Sequence, residues 1–282
     1  MFIAQYFVEF IFYSFLGWVW ESIYCTAKEK KWADRGFLFG PICPIYGSCV
    51  VAASAVFSSI EVLRSPDFPI WGIFILCYIG SAIAEFATSW VLEKRFNARW
   101  WDYSEMPLNI QGRICVPVSI AFGLAGVAVV KLLIPAIEGV HEVVSPIFYE
   151  IFAIILAGLF GADFALTEAS LSALLKDVKQ MHEEFNIKAQ ERYEKVASAP
   201  RALEQRIIEG KELAEERHEQ LARAYAERLS LNQKRILLGI EKIMPKADMP
   251  SEGTGRNALV STLKDKVRES RKNRKSAADR DQ

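Results

Sequence analysis

Apolar residues crowd five stretches of the first 168 positions, about Phe2–Tyr24, Pro41–Leu63, Ile70–Leu92, Ile114–Ile137 and Pro146–Thr167. A bilayer-crossing helix needs roughly 20 mostly apolar residues, so the pattern predicts five membrane spans. From Glu168 the pattern changes. Leu171, Leu174, Leu175, Val178 and Met181 recur at i, i+3, i+4 spacing, the period of an amphipathic helix, and this helix is placed to continue span five. The run "ASAPRA" (Ala197–Ala202) breaks it. A second helix then extends to about Met244, with Leu203, Ile207, Leu221, Leu229, Ile236, Ile240 and Ile243 as its core positions. "PKADMPSEGTG" (Pro245–Gly255) reads as a linker. The expected fold is all-α. A polytopic membrane helix bundle occupies residues 1–168, a cytoplasmic helical hairpin or coiled coil residues 169–250, and a basic, partly disordered tail residues 251–282.

Charge adds an orientation. The chain has no net formal charge, but residues 1–168 hold ten Lys/Arg against fifteen Asp/Glu, and the remainder twenty-four against nineteen. Lys28, Lys30, Lys31 and Arg35 lie between spans one and two; Lys94, Arg95, Arg99 and Arg113 lie between spans three and four. Only Arg64 falls between spans two and three, and no Lys or Arg between spans four and five. The positive-inside rule then gives an outer N-terminus and a cytoplasmic C-terminus. The first span does not read as a signal peptide: it lacks a basic leading region, is too long, and carries Glu9 and Glu21. The final segment, Arg256–Gln282, has nine Lys/Arg and four acids, a composition suited to anionic lipid. Nucleic acid is the weaker partner, because no aromatics interleave to stack on bases.

Two stretches break the apolar pattern in a similar way. "GPICPIYG" (Gly40–Gly47) and "GRICVPVSIAFG" (Gly112–Gly123) both read Gly-x-Ile-Cys with a proline close behind, and each follows a basic loop. Gly40, Pro41, Pro44, Gly47, Gly112 and Pro117 are the marked positions. Upstream, "GWVWE" and "GSAIAE" each set a carboxylate, Glu21 or Glu85, after a glycine near the inner end of a span. This reads as a parallel internal repeat of two hairpins; coincidence between short, biased segments is the competing reading. Pro41 suits a first helical turn, whereas Pro44 and Pro117 sit further in, where each frees a carbonyl. Either the motifs are kinked, tightly packed helix starts, or their irregular backbone lines a polar cavity.

Charged side chains inside a span are costly and usually face protein. Glu21, Arg35, Glu85, Arg99, Asp102 and Arg113 all approach the inner face, and together they are the candidate ligand-binding group. They would serve a charged or zwitterionic ligand, or neutralise one another and fix helix register, or snorkel to headgroups. Asp163 is placed to join them. Trp100, Trp101 and Tyr103 read as interfacial anchors. Asn109 and Gln111 fit either backbone bridging or ligand contact.

Several chemistries lack their parts. No G-x-x-x-x-G-K-[S/T] phosphate loop occurs, so ATP hydrolysis would need a separate subunit. No H-E-x-x-H or G-x-S-x-G motif occurs, and His141, His182 and His218 lie outside the spans. Cys25, Cys43, Cys49, Cys77 and Cys115 show no zinc-type spacing with them, and three of the five fall on the reducing side. No metal, cofactor or catalytic residue is expected.

"FYSFLGWVWESIY", "RGFLFGPICPIYG", "RWWDYS" and "NIQGRICVPVSIAFG" resemble the bacterial ABC-transporter type IV (CmpB-like) membrane family, over roughly residues 8–140. The resemblance implies a transporter permease in a bacterial plasma membrane, and a separate ATPase partner. It supplies no agreed ligand residues. Two other functions fit the residues: a membrane enzyme using the carboxylate–arginine group on a lipid or isoprenoid headgroup, and a membrane-anchored scaffold whose coiled tail self-associates.

Overall fold

The structure is a computed structural model, and it describes residues 2–30, 36–65, 67–197, 219–244 and 250–278. Arg35, Leu203, Ile207 and the "ASAPRA" break after Ala197 lie outside the described residues. The chain divides into two compact units, Met1–Arg95 with Arg99–Glu168, and Phe96–Ala98 with Ala169–Gln282.

The first unit is built from helices α1 (Phe2–Glu29), α2 (Pro44–Ser59), α3 (Glu61–Arg64), α4 (Ile70–Phe96), α5 (Val116–Ala128), α6 (Ile134–His141) and the first part of α7 (Pro146–Ala197). Among the described residues, four helical runs are long and apolar enough to cross a membrane: Ile3–Ala27, Ile70–Phe96, Val116–His141 and Pro146–Glu184. Ile147, Ile151, Ile154, Ile155 and Leu159 of α7 face outward, as expected of a helix solvated by acyl chains.

The second apolar stretch is shorter as a helix than its sequence. Residues 36–43 are not helical, and α2 has 16 residues, about 24 Å at 1.5 Å per residue. That falls short of a hydrocarbon core of roughly 30 Å. The N–H of Cys43 donates to the Ser14 carbonyl at 2.9 Å, and Ser14 lies midway along α1. The chain therefore runs back beside the C-terminal half of α1 as irregular backbone before α2 begins. Protein groups satisfy that backbone, as a non-aqueous setting requires. The Asp163 carboxylate of α7 accepts from the Phe39 N–H at 3.0 Å and the Gly40 N–H at 2.8 Å. Asp163 thus serves this loop, where the sequence had placed it with the charged group.

Both prolines expected inside helices start them. Pro44 is the first residue of α2 and Pro117 the second of α5, positions where a missing N–H costs nothing. The residues just before each helix are Cys43 and Cys115, both extended and both buried. α1 and α2 touch through glycine: a Cβ at Gly47 would collide with Ser14 Oγ and the Phe10 carbonyl, and one at Gly17 with the Tyr46 ring. A proline that does disturb a helix is Pro135. The ladder widens into a π-helical turn over Val129–Leu133 just before α6, the response expected where a proline N–H is missing from the ladder.

The second unit takes the rest of α7, residues 219–228 (α8), α9 (Leu231–Gly239) and α10 (Pro250–Ala278). Leu171, Leu174, Val178 and Met181 are buried as their spacing predicts; Leu175 is half-buried. The helix expected to reach Met244 is interrupted at Leu229–Ser230. There Ser230 and Gln233 form a reciprocal capping box that starts α9. The segment whose composition suggested a partly disordered tail is helical from Pro250 to Ala278. Leu259, Val260, Leu263 and Val267 form its buried stripe. The Asn257 side chain fixes it to the strand Lys242–Ile243, accepting from the Ile243 N–H at 2.7 Å and donating to the Ile243 carbonyl at 3.0 Å.

Candidate functional site

The loop between α4 and α5 is an ordered structure rather than a simple connection. Strands Asn109–Ile110 and Ile114–Cys115 pair antiparallel, Ile110 opposite Ile114. The Arg113 N–H donates to the Ile110 carbonyl at 3.0 Å, and both intervening residues, Gln111 and Gly112, have φ above +50°. Those are the conformations of a type I′ hairpin turn, which favours glycine. A Cβ at Gly112 would also strike the Asp102 carboxylate. Asn109 braces the loop, donating to the Met106 carbonyl at 2.8 Å and accepting from the Gly112 N–H at 3.0 Å.

The hairpin sets two arginines around one carboxylate. Glu93, near the end of α4, accepts from Arg99 Nε and lies 3.0 Å from Arg113 Nη2. Arg99 Nη1 also donates to the Gln111 carbonyl at 2.9 Å and stands 3.8 Å from Asp102. Arg113 reaches Ser89 Oγ at 3.3 Å and stacks over Phe86 at 5.5 Å. Both guanidinium side chains are under 10% exposed. With two arginines facing Glu93 and Asp102, the group neutralises itself. Trp101, expected to be an interfacial anchor, donates its indole N–H to the Arg113 carbonyl at 2.9 Å. Trp100 packs edge-on to Phe37 at 5.3 Å.

Glu21 and Glu85 form a different group. Glu85 lies about 12 Å nearer the start of α4 than Glu93. Tyr46 OH donates to Glu21 Oε2 at 2.5 Å, and Cys25 Sγ approaches Oε1 at 3.8 Å. Tyr103 OH donates to Glu85 Oε1 at 3.3 Å. Glu85 is 6% exposed, and its Oε2 is buried without a hydrogen-bond partner. Burial first, then the Glu85 and Glu21 charges, push the Tyr103 phenol well above its ordinary range. Tyr103 is therefore held as a neutral donor to Glu85, with the Glu21 charge nearby. The Tyr46 ring packs against Phe122 of α5 at 6.0 Å, so the two hairpins meet beside this group.

The six residues singled out in the sequence therefore do not form one ring. Arg99, Asp102 and Arg113 gather around Glu93; Glu21 and Glu85 gather around Tyr46 and Tyr103; Arg35 lies outside the described residues. Glu93, Tyr46 and Ser89 carried no sequence signal of their own. Glu93 sits in "LEKR", which reads as a solvated helix end. Among the described residues, no three His, Cys, Asp or Glu side chains are arranged to hold a metal ion.

No curated protein and no solved structure matches the chain. The profile of the family described as "Putative ABC-transporter type IV" matches residues 8–168, the first unit almost whole and more than half of the chain. The chain belongs to the ABC-transporter type IV family of membrane proteins.

Proposed function

We propose that this chain is the membrane-spanning component of a transporter, with a cytoplasm-facing site at Glu21 and Glu85 for the cationic end of a charged or zwitterionic ligand. The observation that carries the reading is the buried, unpartnered Oε2 of Glu85 beside a second carboxylate and two tyrosine hydroxyls. A buried carboxylate oxygen left unpaired is costly, and a cation arriving there relieves that cost. On this reading Arg99, Asp102, Arg113 and Glu93 are the clamp that holds Tyr103 against Glu85. The chain crosses the membrane five times, with α2 and the irregular Gly36–Cys43 segment together making the second crossing, and the C-terminal unit cytoplasmic. A separate ATPase subunit supplies the energy, since the sequence has no phosphate loop.

Native mass spectrometry of the detergent-extracted protein tests the site. A small cationic or zwitterionic molecule is expected on the wild type and absent from Glu85→Gln, with Glu105→Gln as a control. Identical spectra for wild type and Glu85→Gln sink the assignment.

A further inference from the structure

Glu9 is a buried carboxylate in the first unit that the proposed site does not use. It lies about 18 Å from Glu21 along α1, toward the other end of the helix. A cavity of about 60 Å³ opens beside it, walled by α1, α2 and α6. Gln5, Glu9, Tyr13, Ser58, Glu138 and His141 are among its polar lining residues.

The hydrogen bonds show what this cavity is prepared to accept. His141 Nε2 lies 3.0 Å from Glu9 Oε1, and Nδ1 lies 2.6 Å from Tyr149 OH. Gln5 donates to the same Glu9 oxygen at 3.3 Å. Both partners of Glu9 thus use Oε1. Across the cavity Ser58 Oγ approaches Glu138 Oε1 at 3.5 Å. Two carboxylates and hydroxyls therefore face one small space, with a single imidazole as the only basic group in the lining. Both imidazole nitrogens are already engaged, so neither is free to ligate a metal ion. Acceptors in excess, next to the Tyr13 ring, suit a cation that donates hydrogen bonds and tolerates an aromatic face. At about 10–15 Å³ of such cavity space per water, there is room for an ammonium group, and a quaternary cation is disfavoured because it has no N–H to donate to these acceptors. The π-helical turn at Val129–Leu133 immediately precedes Ile134, Glu138 and His141, and such turns are frequent at functional sites.

We propose that this cavity binds a primary ammonium group, presented either by a soluble amine or by a lipid headgroup. Glu9 and Glu138 balance its charge, and His141, locked between Glu9 and Tyr149, holds Glu9 in place.

Methylammonium titrated against the full-length protein in phosphatidylcholine nanodiscs tests this, read as the thermal unfolding midpoint. A saturable rise is expected for the wild type and for Glu85→Gln. Affinity is expected to fall about tenfold or more, the equivalent of one lost charge contact of about 1.4 kcal/mol, in Glu138→Gln. Glu138 is exposed, so this variant should fold; Ser58→Ala gives a second, smaller loss. Tetramethylammonium is expected to have no effect. Undiminished binding in Glu138→Gln, or an equal response to tetramethylammonium or sodium, overturns the proposal. Loss of binding in Glu85→Gln overturns it too, by moving the ligand to the other site. Phosphatidylethanolamine in the nanodiscs weakens methylammonium binding if the headgroup is the natural source, and leaves it unchanged if a soluble amine is.

Discussion

Glu93→Gln isolates the clamp. The substitution keeps the side-chain shape and removes the charge that faces both Arg99 Nε and Arg113 Nη2. At the 3.0 Å separation of the Arg113 contact, an effective dielectric near 20 gives about 5.5 kcal/mol of attraction. Desolvation offsets part of that gain, but it is not recovered when one partner is deleted, so breaking a buried pair costs about 3–5 kcal/mol. Asp102, 3.8 Å from Arg99, softens the loss for Arg99; among the described residues Glu93 is the carboxylate that Arg113 pairs with. The expected cost is therefore about 3 kcal/mol, or a fall of about 10 °C in the unfolding midpoint for a unit of this size. The buried thiols Cys25, Cys43 and Cys115 give the assay: a thiol-reactive fluorophore reports their exposure as detergent-solubilised protein is heated. Adding Arg113→Gln to Glu93→Gln should recover part of the loss, because the orphaned charge is then gone. A midpoint for Glu93→Gln within ~2 °C of wild type would refute the account of Glu93 as the centre of the clamp.

Gly47→Ala, whose Cβ meets the Phe10 carbonyl and Ser14 Oγ, should destabilise by about 1–3 kcal/mol. Gly80→Ala, with nothing within 4 Å of its Cβ, should be neutral or slightly stabilising in the same thermal assay. Asp163→Asn weakens the acceptor of the Phe39 and Gly40 N–H groups, at about 1.5–3 kcal/mol; maleimide labelling of Cys43 should accelerate while that of Cys115 does not. The raised Tyr103 phenol is neutral in folded and unfolded chains below about pH 10. Above that pH the unfolded chain releases its proton first, so stability falls as pH rises. Tyr103→Phe should flatten this alkaline limb relative to wild type in a pH series of unfolding midpoints, and an unchanged slope would count against the burial of Tyr103 beside Glu85.

The sequence by itself determined the features that follow from local composition. Long apolar runs can only be helices in a bilayer, because every backbone group must be bonded within the segment, and four of them were legible by length alone. The i, i+3, i+4 leucines after Glu168 were legible for the same periodic reason. The sequence marks Gly112 only as part of a motif opening a span; that it closes a hairpin turn with positive φ came from the structure. Other features depended on contacts distant in the chain. Nothing local showed that α2 starts only at Pro44, because that start is fixed by Ser14 on α1 and Asp163 on α7, far away in sequence. The helical state of Pro250–Ala278 was hidden in the same way: its charges dominate the composition, and four buried apolar residues decide its fold. The charged residues gave the sharpest division. Their presence near one membrane face was visible in the sequence, but their pairing was not. An arginine is satisfied by whichever carboxylate the fold brings within about 3–4 Å, and the fold brought Glu93. Only the tertiary structure, by placing both arginines there, left Glu85 buried with an oxygen unpaired.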